Sequence, residues 1–449
     1  MRDLLDDVTM RAARYLDALP ERPVAPDAAA VAGLAALDEP FPRRGRAPAE
    51  ILRLLDDVLA PATVASAGPR YFGFVTGGVL PAALAANWMA AAWDQNSFST
   101  ISSPAGAALE RVVLAWLRDI FGVPAGSGGA LVTGATMANL CGLAAARHGV
   151  LARAGWNVED DGLTGAPPVT VIAGDEVHAS LYKPLGLLGL GRKRIVRVPV
   201  DGQGRMRADA LPPIAGPTIL CLQAGNVNSG AFDPAAAIIG PAKAAGAWVH
   251  VDGAFGLWAA AAPERAHLMA GYDAADSWAV DAHKWLNVPY DNAIVLVREP
   301  EALRSAMAIS AAYLMQDHAR DAIDHTPESS RRMRALEIWA ALTSLGRDGL
   351  ADLVERCCRY AARFAEGLSA AGFEVLNEVA LNQVLVSFGT DAQTTAVIAA
   401  LQAEGTCWCG GTHWHGRAAM RISVSSWATT EEDVERSLDA MIRVARAQG

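Results

Sequence analysis

Residues 218–252 read TILCLQAGNVNSGAFDPAAAIIGPAKAAGAWVHVD. An apolar run, Thr218–Gln223, leads into a turn rich in glycine and asparagine. An alanine-rich stretch follows, opening on Asp233 and Pro234. A second apolar run, Trp248–Val251, then closes on Asp252. Asp233 is expected as the helix N-cap and Pro234 as the first helical residue, where the proline ring pre-sets φ and its missing N–H costs nothing. Strand, helix and strand in that order predict a parallel βαβ unit. The alternation continues on both sides. Val169–Ala173, Arg194–Val198, Ser277–Val280 and Ala293–Val297 are the other expected strands. The fold class is therefore α/β with a mostly parallel central sheet. A helix over 105–122 precedes the sheet.

Near residue 300 the pattern changes. A polar segment is followed by helices over 329–346 and 349–372, strands near 373–377, 383–388 and 420–426, a helix near 391–403 and a closing helix from Thr430. This predicts a smaller α+β domain. The expected division is a helical N-terminal arm over 1–65, broken by prolines, a large domain over 66–300, and a small C-terminal domain over 301–449. An arm of that composition buries little by itself and is expected to pack on a partner.

The chain has 449 residues, 52% of them hydrophobic and 19% charged, with a net charge of -10. That acidity argues against a nucleic-acid or polybasic membrane partner. Residues 71–93 carry no charge, but glycines and a proline interrupt them, so a buried turn and buried helix are expected instead of a span. Six scattered cysteines behind an amphipathic acidic N-terminus point to a reduced, cytoplasmic setting. The stretch CWCGGTHWH over 407–415 lacks the spacing of common zinc sites, and no metal is expected there. The glycines of LGLLGLGRKR, over 185–194, fall in the wrong order for a dinucleotide fingerprint.

In open α/β sheets ligands gather at the carboxyl ends of the strands. Those ends carry His178, Asn226 and Asn228, Asp252 and Ala254, then Asp281, His283 and Lys284. Ahead of them, VTGATMAN turns through Gly134 into a helix whose free N–H groups can hold a phosphate. Only four of the 38 basic residues are lysine. Arginine serves almost everywhere else, so Lys284 is retained for what arginine cannot do, which is to lose a proton and attack an aldehyde. One amine, a stacking side chain, a strand-end carboxylate and a phosphate turn are what pyridoxal phosphate needs.

These motifs resemble the group II pyridoxal-phosphate decarboxylases, the family of aromatic amino acid and glutamate decarboxylases. GDEVHAS, QAGNVNSGAFDP, HVDGAFG and DAHKWLNVPYDN occur in family order. The resemblance implies the type I, aspartate aminotransferase-like fold of pyridoxal-phosphate enzymes. It implies Lys284 as the Schiff-base lysine, Asp252 as the partner of the ring nitrogen and His178 as the residue stacked on the ring. By the same likeness Ala135, Thr136 and His283 hold the phosphate, Ala254 touches the ring, and Asn228 lies near its phenolic oxygen or the substrate. Pro104 lies in a segment that lines the substrate pocket, and Arg421 meets the substrate carboxylate. The implied assembly is a homodimer with active sites at the subunit interface, acting on a small-molecule amino acid.

Two positions depart from that pattern. The family's last proton usually comes from a tyrosine on a mobile loop ahead of the small domain. Here that loop is read as QDHARDAIDHTPESSRR, with His325 at the catalytic place. Members lacking the tyrosine can release an aldehyde. Asp281 stands where the aromatic decarboxylases carry asparagine, so the phosphate contact is expected to be lost or reoriented. The expected reaction is decarboxylation of an aromatic or bulky L-amino acid to its amine. The alternatives are decarboxylation coupled to oxidative deamination, amino transfer, and a cofactor-binding scaffold without turnover.

Overall fold

The computed structural model describes residues 1–309 and 320–448 and divides into two compact units. One comprises residues 79–362 and 377–383. The other comprises 1–78, 363–376 and 384–449. This differs from the division expected from the sequence. Residues 301–362 belong with the sheet unit, and the N-terminal 78 residues share a unit with the C-terminal segment.

The first unit is built on seven strands: β1 (Gly128–Val132), β2 (Thr170–Gly174), β3 (Val196–Val198), β4 (Thr218–Gln223), β5 (Trp248–Asp252), β6 (Ser277–Asp281) and β7 (Ala293–Val297). Their order is β1-β7-β6-β5-β4-β2-β3. β2 to β6 pair in parallel, and β7 runs antiparallel to both β6 and β1. Every residue of β4, β5, β6 and β7 is buried. Strands covered on both faces read as continuous apolar runs, which is why the sequence shows them clearly. β1, GGALV, was not expected, because two glycines blur its signal. Helices Ala135–Arg153 and Pro300–Met307 pack on this sheet around a core that includes Val132, Leu143, Leu151, Ile219 and Val295.

Two local expectations are corrected. Asp233 is not the cap of its helix, which runs Ala235–Ala244 with Pro234 at the N-cap. Its carboxylate turns inward and accepts from Gln223 N and Met206 N, both at 2.7 Å. Burial raises its pKa to about 6. The helix Pro81–Trp93 forms, but within this chain only Ala83 and Ala86 are buried, while Trp88, Met89 and Trp93 are exposed. Among the described residues no helix is long and apolar enough to cross a membrane.

In the other unit, β8 (Glu374–Val375), β9 (Gln383–Ser387), β10 (Gly410–Trp414) and β11 (Arg417–Ser423) form an antiparallel sheet in the order β10-β11-β9-β8. Residues 1–78 join it through the Tyr71–Trp408 ring stack, the Arg70–Asp433 ion pair and the bond from Val24 N to Gly405 O. The helix Arg2–Ala18 buries none of its residues. Cys407 and Cys409 are buried at the foot of β10, and β10 turns into β11 at His415 and Gly416.

Candidate active site

Parallel register brings the strand ends together. Asp252 closes β5 opposite Ala279 of β6, and Asp281 closes β6. Asp281 N donates to Ala254 O at 2.8 Å, so the chain just past β5 is tied to the end of β6. Lys284 follows three residues later.

Asp281 is 2% exposed and is the hub of one cluster. Its Oδ2 lies 3.0 Å from Lys284 Nζ. Its Oδ1 accepts from Ala135 N at 2.6 Å and lies 3.4 Å from His283 Nε2. The anion that departs from the aromatic decarboxylases thus engages three groups expected at the cofactor. His283 Nδ1 accepts from Asn292 N at 3.1 Å, so the ring proton of the neutral tautomer faces Asp281. Burial lowers the His283 pKa, an effect the nearby Asp281 opposes. Ala135 opens the helix Ala135–Arg153, and Gly134 is its N-cap. Thr136 is therefore the second helical residue and not the cap. Its N–H belongs to the first turn, where helical amides lack internal acceptors.

Asp252 is the hub of a second cluster. It is 5% exposed, and its Oδ2 accepts from Asn139 Nδ2 at 2.9 Å and Ser180 Oγ at 3.3 Å. Its Oδ1 accepts from Ala254 N at 3.2 Å. Ser180 Oγ also lies 2.8 Å from His178 Nδ1, and this places His178 beside the carboxylate. Asn139 and Ser180 were not singled out in the sequence. Asn139 lies five residues past Gly134, and Ser180 two residues past His178, so both were within reach of the motifs.

The remaining expected residues lie elsewhere. Asn228 sits in the turn after β4, where Asn226 Oδ1 accepts from its N–H at 2.8 Å. Pro104 starts the helix Pro104–Phe121 behind its Ser103 cap. The segment just before it is tied by Asp321 Oδ1, which accepts from Thr100 N at 2.6 Å, and by Arg331 Nη1, which donates to Ser97 O at 3.2 Å. Arg421 lies on β11 of the other unit, where burial lowers its pKa.

His325, the expected proton donor, lies in the polar segment ahead of the small domain. The polar segment containing it is described only from Arg320 onward, so residues 316–319 of the expected loop lie outside the described residues. His325 is 7% exposed in a short helical turn, with Nδ1 held 3.0 Å from Asp321 O. Burial, aided by Arg320, lowers its pKa to about 4. A ring kept neutral in this way carries no spare proton to deliver at neutral pH.

The residues fit pyridoxal phosphate. Among the described residues Asp252 has only neutral donors and no lysine or arginine partner, and a buried carboxylate is costly without one. A protonated ring nitrogen supplies that partner. A Cβ placed on Gly134 would be in ordinary contact with His283 Cε1 at 3.6 Å and Asp281 Oδ1 at 3.9 Å, so the turn at the helix N-terminus lies against both groups. Lys284 brings the amine to the same edge, with its side chain 20% exposed.

The family model described as "Pyridoxal-dependent decarboxylase conserved domain" matches residues 33–390, and the chain belongs to this family, whose cofactor is pyridoxal phosphate. The chain is 30% identical over 348 residues to L-tyrosine/L-DOPA decarboxylase 2 of Lophophora williamsii, covering 73% of this chain and 65% of that protein. It is 28% identical over 375 residues to 4-hydroxyphenylacetaldehyde synthase of Rhodiola rosea, covering 80% of this chain and 75% of that one. The fold matches the crystal structure of Oryza sativa TDC with PLP and tryptamine at a TM-score of 0.91. That match has 23% identity and covers 99% of this chain and 97% of the other.

Proposed function

We propose that the protein decarboxylates an L-amino acid, aromatic or otherwise bulky, to the amine, with Lys284 as the lysine that holds the cofactor aldehyde. One observation carries this reading. Lys284, the helix N-terminus at Ala135 and the buried carboxylate Asp252 share one sheet edge. When bound, the cofactor supplies an electron sink for the pair of electrons left as carbon dioxide departs. The residues of this chain do the rest. Asp252 keeps the ring nitrogen protonated, the helix N-terminus at Ala135 and Thr136 receives the phosphate together with His283, and His178 covers the ring. The relatives named above support an aromatic substrate. Ala254 is proposed to touch the ring and Asn228 to lie near its phenolic oxygen or the substrate, with Pro104 and Arg421 as substrate contacts.

A second reading has its own support. His325 is buried, which lowers its pKa to about 4, and one relative is named an aldehyde synthase. Release of an aldehyde with ammonia and peroxide would follow if the carbanion met oxygen before a proton.

The assembly is proposed to be a homodimer with the site at the subunit interface. The exposed side chains of Trp88, Met89, Trp93 and Ile101 form apolar surface that a second copy would cover. A cytoplasmic location is consistent with six unpaired cysteines.

The test combines borohydride reduction with peptide mapping and a product screen over amino acids. Label on Lys284, with carbon dioxide and amine and no oxygen uptake, is the expected result. Label on Lys183, Lys193 or Lys243, or no multiple turnover with any amino acid, overturns the reading. Aldehyde and peroxide would establish the second.

A further inference from the structure

A chain of buried polar groups runs inward from Asp252. Asn139 Nδ2 lies 2.9 Å from Asp252 Oδ2, and Asn139 Oδ1 lies 2.9 Å from His250 Nε2. His250 Nδ1 lies 2.8 Å from Ser277 Oγ, which accepts from Trp248 Nε1 at 2.9 Å. Asn139, His250 and Ser277 are each 0% exposed, so no solvent can repair a bad pairing. The helix Ala135–Arg153 presses its backbone onto the imidazole, since a Cβ on Gly142 would come within 2.6 Å of His250 Cε1. That contact fixes the ring between its two partners.

The direction of every bond in this chain is set from its ends. Indole N–H only donates, so Ser277 Oγ accepts from Trp248 and must send its own proton to His250 Nδ1. The neutral imidazole then carries its proton on Nε2 and donates it to Asn139 Oδ1. The amide is thereby oriented, and its NH2 group faces Asp252. In the reverse direction Asn139 Oδ1 would face Asp252, and that contact needs a proton on the carboxylate. His250 would then donate to Ser277, whose hydroxyl proton would have no acceptor among the described residues. An unpaired donor at a fully buried position is expensive. Burial also keeps the imidazole neutral, lowering the His250 pKa to about 4, while Asp252 pulls the other way. The other ionisable groups beside this carboxylate are His178, reached through Ser180, and Cys221 of β4, a buried thiol whose pKa is pushed above its ordinary value by burial and by Asp252.

We propose that Asn139 and His250, oriented by Ser277 and Trp248, are positioning residues that hold Asp252 as a pure hydrogen-bond acceptor, the form a protonated ring nitrogen requires. The proposal rests on the reading of Asp252 given above. None of the four groups needs to touch the cofactor. Their effect reaches the ring only through the carboxylate.

The experiment uses holoenzyme loaded with cofactor labelled with nitrogen-15 in the ring and follows the resonance of that nitrogen against pH. Circular dichroism and Tm report folding of each variant. Asp252→Asn should move the titration midpoint of the ring nitrogen strongly to lower pH. Asn139→Leu should move it the same way by roughly one unit, a tenfold change in protonation constant. Ser277→Ala, two groups away from the carboxylate, should give a smaller shift of the same sign. It also stands in if Asn139→Leu does not fold. An effect of Asp252→Asn with wild-type midpoints in folded Asn139→Leu and Ser277→Ala overturns the relay and leaves the reading of Asp252 intact. No effect of Asp252→Asn overturns both.

Discussion

Asp281→Asn isolates the residue that most separates this site from the aromatic decarboxylases. The carboxylate lies 3.0 Å from Lys284 Nζ, with side-chain exposures of 20% for the lysine and 3% for the aspartate. At that separation and an effective dielectric near 20, the attraction is roughly 5 kcal/mol. Desolvation of both charges opposes it, and Ala135 N and His283 share the same carboxylate. About 1–3 kcal/mol of net attraction remains to hold the amine against the carboxylate, which corresponds to roughly five- to 150-fold. Only the free amine attacks an aldehyde, so the apoenzyme should capture the cofactor faster when residue 281 is asparagine. The amide oxygen can still accept from Ala135 N, so the helix N-terminus stays anchored. The assay is stopped-flow absorbance after mixing apoenzyme with pyridoxal phosphate and, separately, with pyridoxal. Removing an anion could also favour the phosphate, and the unphosphorylated aldehyde separates the two effects. Faster capture of both compounds supports the argument. Faster capture of pyridoxal phosphate alone, or slower capture of pyridoxal, refutes it.

Three further outcomes are expected. His325→Gln should leave the ratio of amine to aldehyde unchanged, because a neutral buried ring donates no proton. Chromatography with oxygen uptake measures that ratio. The His325 pKa is lowered from 6.5 to about 4 on folding, so its contribution to stability is present above pH 6.5 and is lost as pH falls toward 4. Urea unfolding of wild type between pH 7.5 and 4.5 should lose up to about 3 kcal/mol that His325→Gln does not lose. Glu110 is buried and pairs with Arg331 at 2.7 Å, whose side chain has no exposure. Glu110→Ala strands that cation and should cost about 3–5 kcal/mol in the same unfolding assay.

The sequence made the sheet legible where burial is two-sided. Thr218–Gln223 and Ala293–Val297 coincide with β4 and β7, since strands covered on both faces must be apolar throughout. β1 was missed for the opposite reason. It is short and begins with two glycines, and pairing with β7 makes it a strand. Asp233 followed the local rule for a cap, but two buried amides at Gln223 and Met206 outbid the helix for its carboxylate. His325 was read from its place along the chain, and its burial against Asp321 could not be read there.

By itself the sequence determined the class of fold and the cofactor, and it pointed to the amine. Periodicity is a local property, and only a lysine can do what Lys284 is proposed to do in a chain that otherwise prefers arginine. The tertiary structure decided how those groups are tuned. It placed Asp281 against Lys284, His283 and Ala135, and it set Asn139 between His250 and Asp252. Asn139 and Asp252 are 113 residues apart in sequence. No pattern along the chain records which buried donor faces which acceptor. That pairing exists only once strands and helix have closed around it and excluded water.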